Sequence, residues 1–323
     1  MSAPPPKYHE PVQGTVYHGD GREEQLLKHL QSLPELVNAQ PDEPLIPRSQ
    51  RVLDAIHEFG KGENRYLMSV GETKGKQVED LIKERKPKLI LELGSYVGYS
   101  GISFSRHLPA IHPDSVYPVG WTSSTTDRAG YISLEKSEIY ANTARGACQL
   151  AGVGHVVKVV VGSSTSSLRR LRQTLDLPKD VHFDMVFLDH LKPLYTIDLK
   201  VMEEEGLIGP GTVLVADNVI KPGNPSYLSY VRASPALKHR SLALGPLTEQ
   251  PAATPNPPES EWMTAFRDGP IDEARWVPEE AEGASAKGDP TLVYESSMLA
   301  GWDPYTGERD AVEVSVCKGR EGQ

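Results

Sequence analysis

The chain has 323 residues, enough for one large or two modest domains with a full hydrophobic core, so a small disulfide- or metal-stapled protein is excluded. Hydrophobic residues make up 38% of it, no apolar run approaches the roughly 18 residues of a membrane span, and the formal net charge of −10 would repel nucleic-acid phosphates and anionic lipids. We therefore expect neither nucleic-acid nor membrane partners. The start, MSAPPPKYHEP, lacks a signal-peptide pattern, which predicts a cytoplasmic protein.

The first part of the chain predicts a tail followed by three helices. Residues 1–18 are polar and rich in proline, which is typical of a disordered tail. Apolar residues then recur at spacings of three and four from Leu26 to Leu33, and again from Val52 to Phe59 after Pro47. A shorter stripe of the same kind runs from Val78 to Ile82. Each stripe predicts an amphipathic helix.

The pattern then changes to short apolar runs separated by helical segments. The first run lies between Pro87 and Gly94 and has no helical spacing, as expected for a buried strand. Alternation of strands and helices predicts an α/β fold, a Rossmann-like doubly wound, mainly parallel sheet with helices on both faces. The predicted strands are Lys88–Leu93, Tyr131–Leu134, Val156–Val161, Phe183–Leu188 and Thr212–Ala216.

The alternation ends after Val231. Residues 235–290 are rich in Pro, Ala, Glu and Gly, a composition that favours loop or disorder, and we interpret them as an insertion in a single domain spanning residues 19–323. Strand-like segments return at Leu292–Leu299 and Ala311–Cys317, with turn-forming residues between them. They predict a C-terminal antiparallel hairpin, which brings the sheet to seven strands.

A glycine-rich turn follows the first predicted strand in the run ELGSYVGYS, residues 92–100. Glycines allow a tight turn there, and the next helix offers its N-terminal N–H groups to an anion, although Gly94 alone would also suit an ordinary turn. Glu135 ends the next strand, where an acidic residue of a nucleotide-type site binds ribose hydroxyls; a solvated glutamate is the alternative. Together the two features favour a nucleotide-type cofactor.

Oxygen-bearing side chains follow two later strands. Asp189, His190 and Lys192 come after FDMVFL, and Asp217 and Asn218 come after TVLVA. Open α/β sheets bind ligands at the carboxyl ends of their strands. Two carboxylates and an amide oxygen suit Mg²⁺ or Ca²⁺ and are poor ligands for zinc. Either aspartate alone could merely cap the next helix, but the set favours a metal site.

These blocks resemble the catechol O-methyltransferase family. The segments MSVGETKG (68–75), LELGSYVGYS, FLDHLK and LVADNVIKPGNPSYLSYVR occur in the order of that family, and the resemblance covers about residues 19–234 and, more weakly, the terminal hairpin. It implies transfer of a methyl group from S-adenosylmethionine to one hydroxyl of a small catechol-type substrate with the help of Mg²⁺. Leu191 stands where the family has an aromatic residue beside the base, and Tyr66 stands where it has a tryptophan in the substrate wall. Both differences would affect substrate preference.

The resemblance also assigns roles to individual residues. Asp189, Asp217 and Asn218 match the Mg²⁺ ligands, Lys192 matches the general base, and Glu295 matches the carboxylate that holds the second catechol hydroxyl. The positions it implies around the cofactor are Val70, Gly94, Tyr96, Tyr99, Ser100, Glu135, Ser164, Asp189 and His190.

Three other functions stay open on the sequence. The chain could methylate bulkier caffeoyl-type diphenols, or bind S-adenosylmethionine without turnover. A dinucleotide oxidoreductase is the third, although the GxGxxG motif is missing. The ten histidines form no HExxH motif and there is no GxSxG motif, so a zinc protease is excluded and a serine hydrolase disfavoured. We expect a monomer.

Overall fold

The computed structural model describes residues 18–40, 42–62, 65–121, 127–244, 285–302, 307 and 309–321. The predicted tail therefore lies outside the described residues, apart from His18. The chain divides into two compact units: the first comprises Met1–Gly162 and Trp302–Glu308, and the second comprises Ser163–Gly301 and Arg309–Gln323. The single domain expected for 19–323 stays a prediction. None of the described helices combines the length and the apolar character needed to cross a membrane.

The strands form a seven-stranded sheet, as predicted. Their bounds are β1 Leu89–Leu93, β2 Gly130–Glu135, β3 Val157–Val161, β4 Met185–Leu188, β5 Val213–Ala216, β6 Leu292–Trp302 and β7 Arg309–Arg320. Their order in the sheet is β3-β2-β1-β4-β5-β7-β6. The pairs β1–β2, β2–β3 and β4–β5 are parallel, whereas β7 runs antiparallel to β5. The mainly parallel Rossmann-like sheet with an antiparallel C-terminal part is thus confirmed.

Helices lie around the sheet, and the three predicted leading helices are present. Their bounds are α1 Arg22–Ser32, α2 Pro34–Val37, α3 Leu45–Gly60, α4 Gly71–Arg85, α5 Tyr99–Ser105, α6 Leu108–Ile111, α7 Glu138–Leu150, α8 Ser164–Leu175, α9 Leu194–Glu204, α10 Pro225–Val231 and α11 Pro235–Leu244.

The core of the first unit follows from its apolar stripes. Leu26 of α1 and Val52 of α3 are completely buried, as the helical spacing predicts. Every residue of β1 is buried, including the acidic Glu92. Ser133 donates a hydrogen bond to its carboxylate at 2.5 Å, and Ser100 donates another. These bonds offset the cost of burying the charge at the start of the candidate site.

The second unit corrects our interpretation of residues 235–290. We expected a loop from residue 235, but α11 forms there, and its Lys238 is only 1% exposed. The Lys238 ammonium lies 4.7 Å from the ring centroid of Tyr230 and 4.6 Å from that of Tyr294, and it donates to the carbonyl of Leu292 at 2.9 Å. Composition could not indicate these tertiary partners. Residues 245–284 of the insertion lie outside the described residues.

Candidate active site

The glycine-rich turn carries the chain of the first unit from β1 into α5. Gly94 and Gly98 have φ angles of 98° and 87°, in the left-handed region that favours glycine. A Cβ atom on Gly98 would lie 3.0 Å from the Cα atom of Ala144, so a larger residue would also clash with α7. The turn places the N-terminus of α5 directly after the carboxyl end of β1.

Glu135, the last residue of β2, is held against this turn. One carboxylate oxygen accepts hydrogen bonds from the backbone N–H groups of Tyr96 at 2.8 Å and Ser95 at 3.2 Å, and the other accepts from that of Ser137 at 2.8 Å. The residue is 8% exposed, and burial raises the pKa of its carboxyl group although these bonds oppose the shift. The structure therefore brings the predicted ribose ligand and the glycine turn into one cluster with a fixed acceptor group.

Val70 and Tyr99, which are also predicted to bind the cofactor, lie at the starts of α4 and α5. Val70 is 1% exposed immediately before α4, and burial raises the pKa of Tyr99 to about 12. The Tyr96 hydroxyl donates to Glu23 of α1 at 2.8 Å. Burial also raises the pKa of Tyr96, so the hydroxyl stays protonated and remains the donor. The sequence analysis did not identify Glu23, which lies 73 residues before Tyr96.

In the second unit, Lys192 is fixed beside Asp189 after β4. Its ammonium donates to a carboxylate oxygen of Asp189 at 3.0 Å and to the hydroxyl of Tyr195 at 2.6 Å. Tyr195 is fully buried and donates to the carbonyl of Leu188 at 2.7 Å. Burial raises the pKa of Tyr195 well above 10, so it remains a neutral phenol. These contacts leave the Lys192 side chain 14% exposed and limit where its amine can lie.

Asp217 and Asn218 follow β5, and Asp310 of β7 orients the asparagine. The Asn218 amide nitrogen donates to Asp310 at 3.0 Å, and the second oxygen of Asp310 accepts from the Lys221 backbone N–H at 2.9 Å. Because the amide nitrogen is engaged, the amide oxygen is the atom of Asn218 left to act as a metal ligand. Asp217 is 1% exposed. Carboxylate and amide oxygens at these positions fit Mg²⁺.

His, Cys, Asp and Glu side chains alone do not form a metal site in the described part of the chain. No cluster of three or more of them there could hold an ion. The predicted donor set differs in composition, because it combines the carboxylates of Asp189 and Asp217 with the amide of Asn218. With three protein ligands, an Mg²⁺ ion would keep positions for water or substrate. The metal site therefore stays a prediction, consistent with the donor chemistry.

His190 is held by a buried carboxylate of α9. Its Nε2 atom lies 2.9 Å from Asp198, whose other oxygen accepts from the hydroxyl of Thr165 at 2.6 Å. The imidazole stacks on the ring of Tyr195, with 4.8 Å between centroids and 13° between planes. Thr165 directly follows Ser164, the first residue of α8. The structure thus links His190, through one carboxylate, to the residue next to Ser164.

No family model matches the chain. It is 35% identical to catechol O-methyltransferase of Mus musculus over 225 residues, which cover 70% of this chain and 73% of the mouse protein. The chain belongs to the catechol O-methyltransferase family. Catechol O-methyltransferase of Bos taurus is 34% identical over 67% of this chain and 68% of its own length. A solved O-methyltransferase of Bacillus cereus in complex with SAH is 19% identical, with a TM-score of 0.45 over 92% of this chain and 100% of that chain.

Membership of the catechol O-methyltransferase family makes this chain a methyltransferase enzyme that modifies oxygen. That confirms the family resemblance and disfavours the oxidoreductase alternative. The assignment of individual residues is a separate matter, because the identity of about one third leaves many positions different.

The structure does not bring Glu295 to the strand ends that carry Asp217. Its side chain is 72% exposed and forms an ion pair with Lys318 at 2.6 Å. In the antiparallel register, Ala216 at the carboxyl end of β5 pairs with Glu313, and Val213 at its amino end pairs with Val316. Lys318 lies two residues further toward the amino end. The structure therefore gives no support for Glu295 as the carboxylate that holds a catechol hydroxyl.

Proposed function

We propose that this enzyme transfers the methyl group of S-adenosylmethionine to one hydroxyl of a catechol-type substrate, with Lys192 as general base and Mg²⁺ held by Asp189, Asp217 and Asn218. The observation that carries the proposal is the placement of the Lys192 amine within hydrogen-bond distance of Asp189 and Tyr195, directly after β4. Family membership supports the reaction class.

The cofactor would bind through residues that already fit a nucleoside. Glu135 presents a fixed, buried carboxylate, which suits the two ribose hydroxyls. Gly94, Tyr96 and Ser100 belong to the turn and helix N-terminus that suit the methionine carboxylate. S-adenosylmethionine supplies a methyl group on a sulfonium sulfur that departs as a thioether.

The second unit would prepare the acceptor. Mg²⁺, when bound, supplies positive charge that favours an ionised hydroxyl. Lys192, in its neutral form, takes the proton of the attacking hydroxyl on Nζ, and the oxygen forms its new bond to the methyl carbon as the carbon–sulfur bond breaks. Asp189 and Tyr195 hold the amine in position to receive that proton. Orientation of the two reactants contributes much of the remaining acceleration.

Replacing Lys192 by methionine tests the proposal. Lys192→Met keeps the length of the side chain but removes the base, so kcat with catechol and Mg²⁺ should fall by roughly 10²- to 10⁴-fold while the Kd for S-adenosylhomocysteine stays unchanged. Lys76→Met is the matched control, because Lys76 is 71% exposed on α4. Wild-type kcat in Lys192→Met, or full wild-type activity in EDTA, would contradict the proposal.

A bulkier diphenol is the second candidate substrate. Leu191, between His190 and Lys192 in the chain, is 40% exposed. An exposed leucine at the position of an aromatic residue offers a smaller wall to an aromatic acceptor and leaves room for a longer one. A kcat/KM for a caffeoyl ester well above that for catechol would favour this substrate, and Leu191→Trp should then shift the ratio back toward catechol.

A further inference from the structure

Asn224 is a buried side chain that caps α10 and also contacts the main chain of Lys192. It directly precedes α10 and is 5% exposed. Its side-chain oxygen accepts a hydrogen bond from the backbone N–H of Tyr227 at 3.2 Å, and its amide nitrogen donates to the carbonyl oxygen of Lys192 at 2.7 Å. One partner is a donor and the other an acceptor, so only one orientation of the amide satisfies both. One side chain therefore joins α10 to the turn that leads into α9.

The hydrogen bond to Lys192 goes beyond what a helix cap requires. An N-cap residue contributes an oxygen acceptor, and Ser, Thr and Asp supply that acceptor about as well as Asn does. Of these four, only asparagine accepts through one atom and donates through a second. The donor of Asn224 meets a carbonyl group that lies 32 residues earlier in the chain. Capping of α10 therefore accounts for half of this side chain, and the position of Lys192 accounts for the other half.

The side chain of Lys192 is held by a residue that also packs against α10. Its amine donates to the hydroxyl of Tyr195 at 2.6 Å. The ring of Tyr195 meets that of Tyr227 edge to face, with 5.7 Å between centroids and 88° between planes, and both rings are fully buried. A lysine amine sits on a flexible four-carbon stem, so its position is fixed only when the main chain is fixed as well. Asn224 supplies the main-chain contact, and Tyr195 supplies the contact at the amine.

We infer that Asn224 is a positioning residue for the methyl transfer: by fixing the main chain of Lys192, it keeps the lysine amine where it can receive the proton of the acceptor hydroxyl. The inference rests on the proposed function, because it takes Lys192 as the general base. A displacement of about 1 Å can slow a reaction by about 10²-fold. Because Asn224 acts through Lys192, its loss should lower kcat and leave the KM for S-adenosylmethionine unchanged.

Two substitutions remove the bond to Lys192 but keep the cap. Asn224→Ser retains an oxygen acceptor for the N–H of Tyr227 and has no amide nitrogen, and Asn224→Asp does the same at nearly the original size. In assays with catechol and Mg²⁺ at 25 °C, kcat should fall by about 10- to 100-fold in both. Ser234→Ala is the matched control, because Ser234 accepts from the backbone N–H of Leu237 at 3.3 Å at the start of α11. This variant loses a helix cap and should keep the wild-type kcat.

A double-mutant cycle separates this inference from the proposed function. In the Lys192→Met background, Asn224→Ser should lower the residual rate no further, since the base through which it acts is gone. Wild-type kcat in Asn224→Ser, a loss confined to the charged Asn224→Asp, or an equal loss in the Lys192→Met background would overturn the role of Asn224 alone. So would a fall in kcat that only matches the unfolded fraction at 25 °C, measured by thermal unfolding. Wild-type kcat in Lys192→Met itself would overturn both the proposed base and this inference.

Discussion

Glu135 offers the most direct test of the cofactor half of the proposal. Replacing it with glutamine keeps the size of the side chain but removes the negative charge. A carboxylate that accepts ribose hydroxyls forms charge-assisted hydrogen bonds worth about 1.5–3 kcal/mol. Since about 1.4 kcal/mol corresponds to a factor of ten, Glu135→Gln should raise the Kd for S-adenosylhomocysteine by roughly 10- to 150-fold.

A second measurement is needed because Glu135 also accepts hydrogen bonds from the backbone N–H groups of Tyr96 and Ser95 in the glycine turn, so its loss could destabilise that turn. Thermal unfolding of the same variant measures how far the turn is destabilised. Glu138→Gln is the control: Glu138 lies three residues further on, is 63% exposed and pairs with Arg145. It should leave both the Kd and the Tm unchanged.

Calorimetry at 25 °C decides between the two roles of Glu135. A lower Tm with an unchanged Kd would mean that Glu135 only anchors the turn and would refute our reasoning about the ribose. The pH dependence of cofactor binding gives an independent check. Burial raises the pKa of Glu135 above its usual 4.5, and only the ionised form accepts both hydroxyls. As the pH falls, cofactor binding should therefore begin to weaken at a higher pH than it would if Glu135 were exposed.

Three further predictions concern charged side chains that are held by hydrogen bonds. Asp310→Ala should weaken Mg²⁺ binding about 10- to 100-fold in a metal titration, because it removes both acceptor oxygens and releases Asn218, and an unchanged affinity would contradict this. Burial alone would raise the pKa of the Glu79 carboxyl group. Hydrogen bonds from partners such as His107 outweigh this effect and lower the pKa from 4.5 to about 2. Glu79→Gln should lower the free energy of unfolding in urea by about 3 kcal/mol at pH 7; this difference should shrink as the pH falls from 4.5 toward 2, and a constant difference would refute it. Lys238→Met should cost about 1–3 kcal/mol by the same assay, whereas full stability would show that α11 is not anchored by this residue.

Much of the fold could be predicted because each element has a local signal. The stripe from Val52 to Phe59 and the apolar run before Gly94 carry the helical and strand periods, and both elements form where expected. One exception is α11. Its Lys238 depends on Tyr230 and Tyr294, which lie 8 and 56 residues away in the chain. Composition records no such partner, so a proline-rich segment could be mistaken for a loop along its whole length.

In the candidate site, too, the sequence indicates local features but not tertiary partners. Asp189, Lys192 and Asp217 could be identified because they directly follow strands, where a ligand-binding edge is expected. Glu295 was assigned through the family resemblance, and the structure gives it no support: β6 lies beside β7, and the exposed Glu295 side chain forms an ion pair with Lys318. Local pattern identifies residues at strand ends but does not determine register.

The residues that the sequence did not reveal share one property: each is polar, buried and acts on another side chain. Asp198 contacts His190, Asp310 contacts Asn218, and Tyr195 contacts Lys192. The first two are 0% and 1% exposed. A buried carboxylate is costly unless it is hydrogen-bonded, so its presence indicates that the partner's orientation matters. Substituting Asp310 or Tyr195 should therefore change metal affinity or kcat more than it changes stability, whereas substituting a purely structural residue should do the reverse.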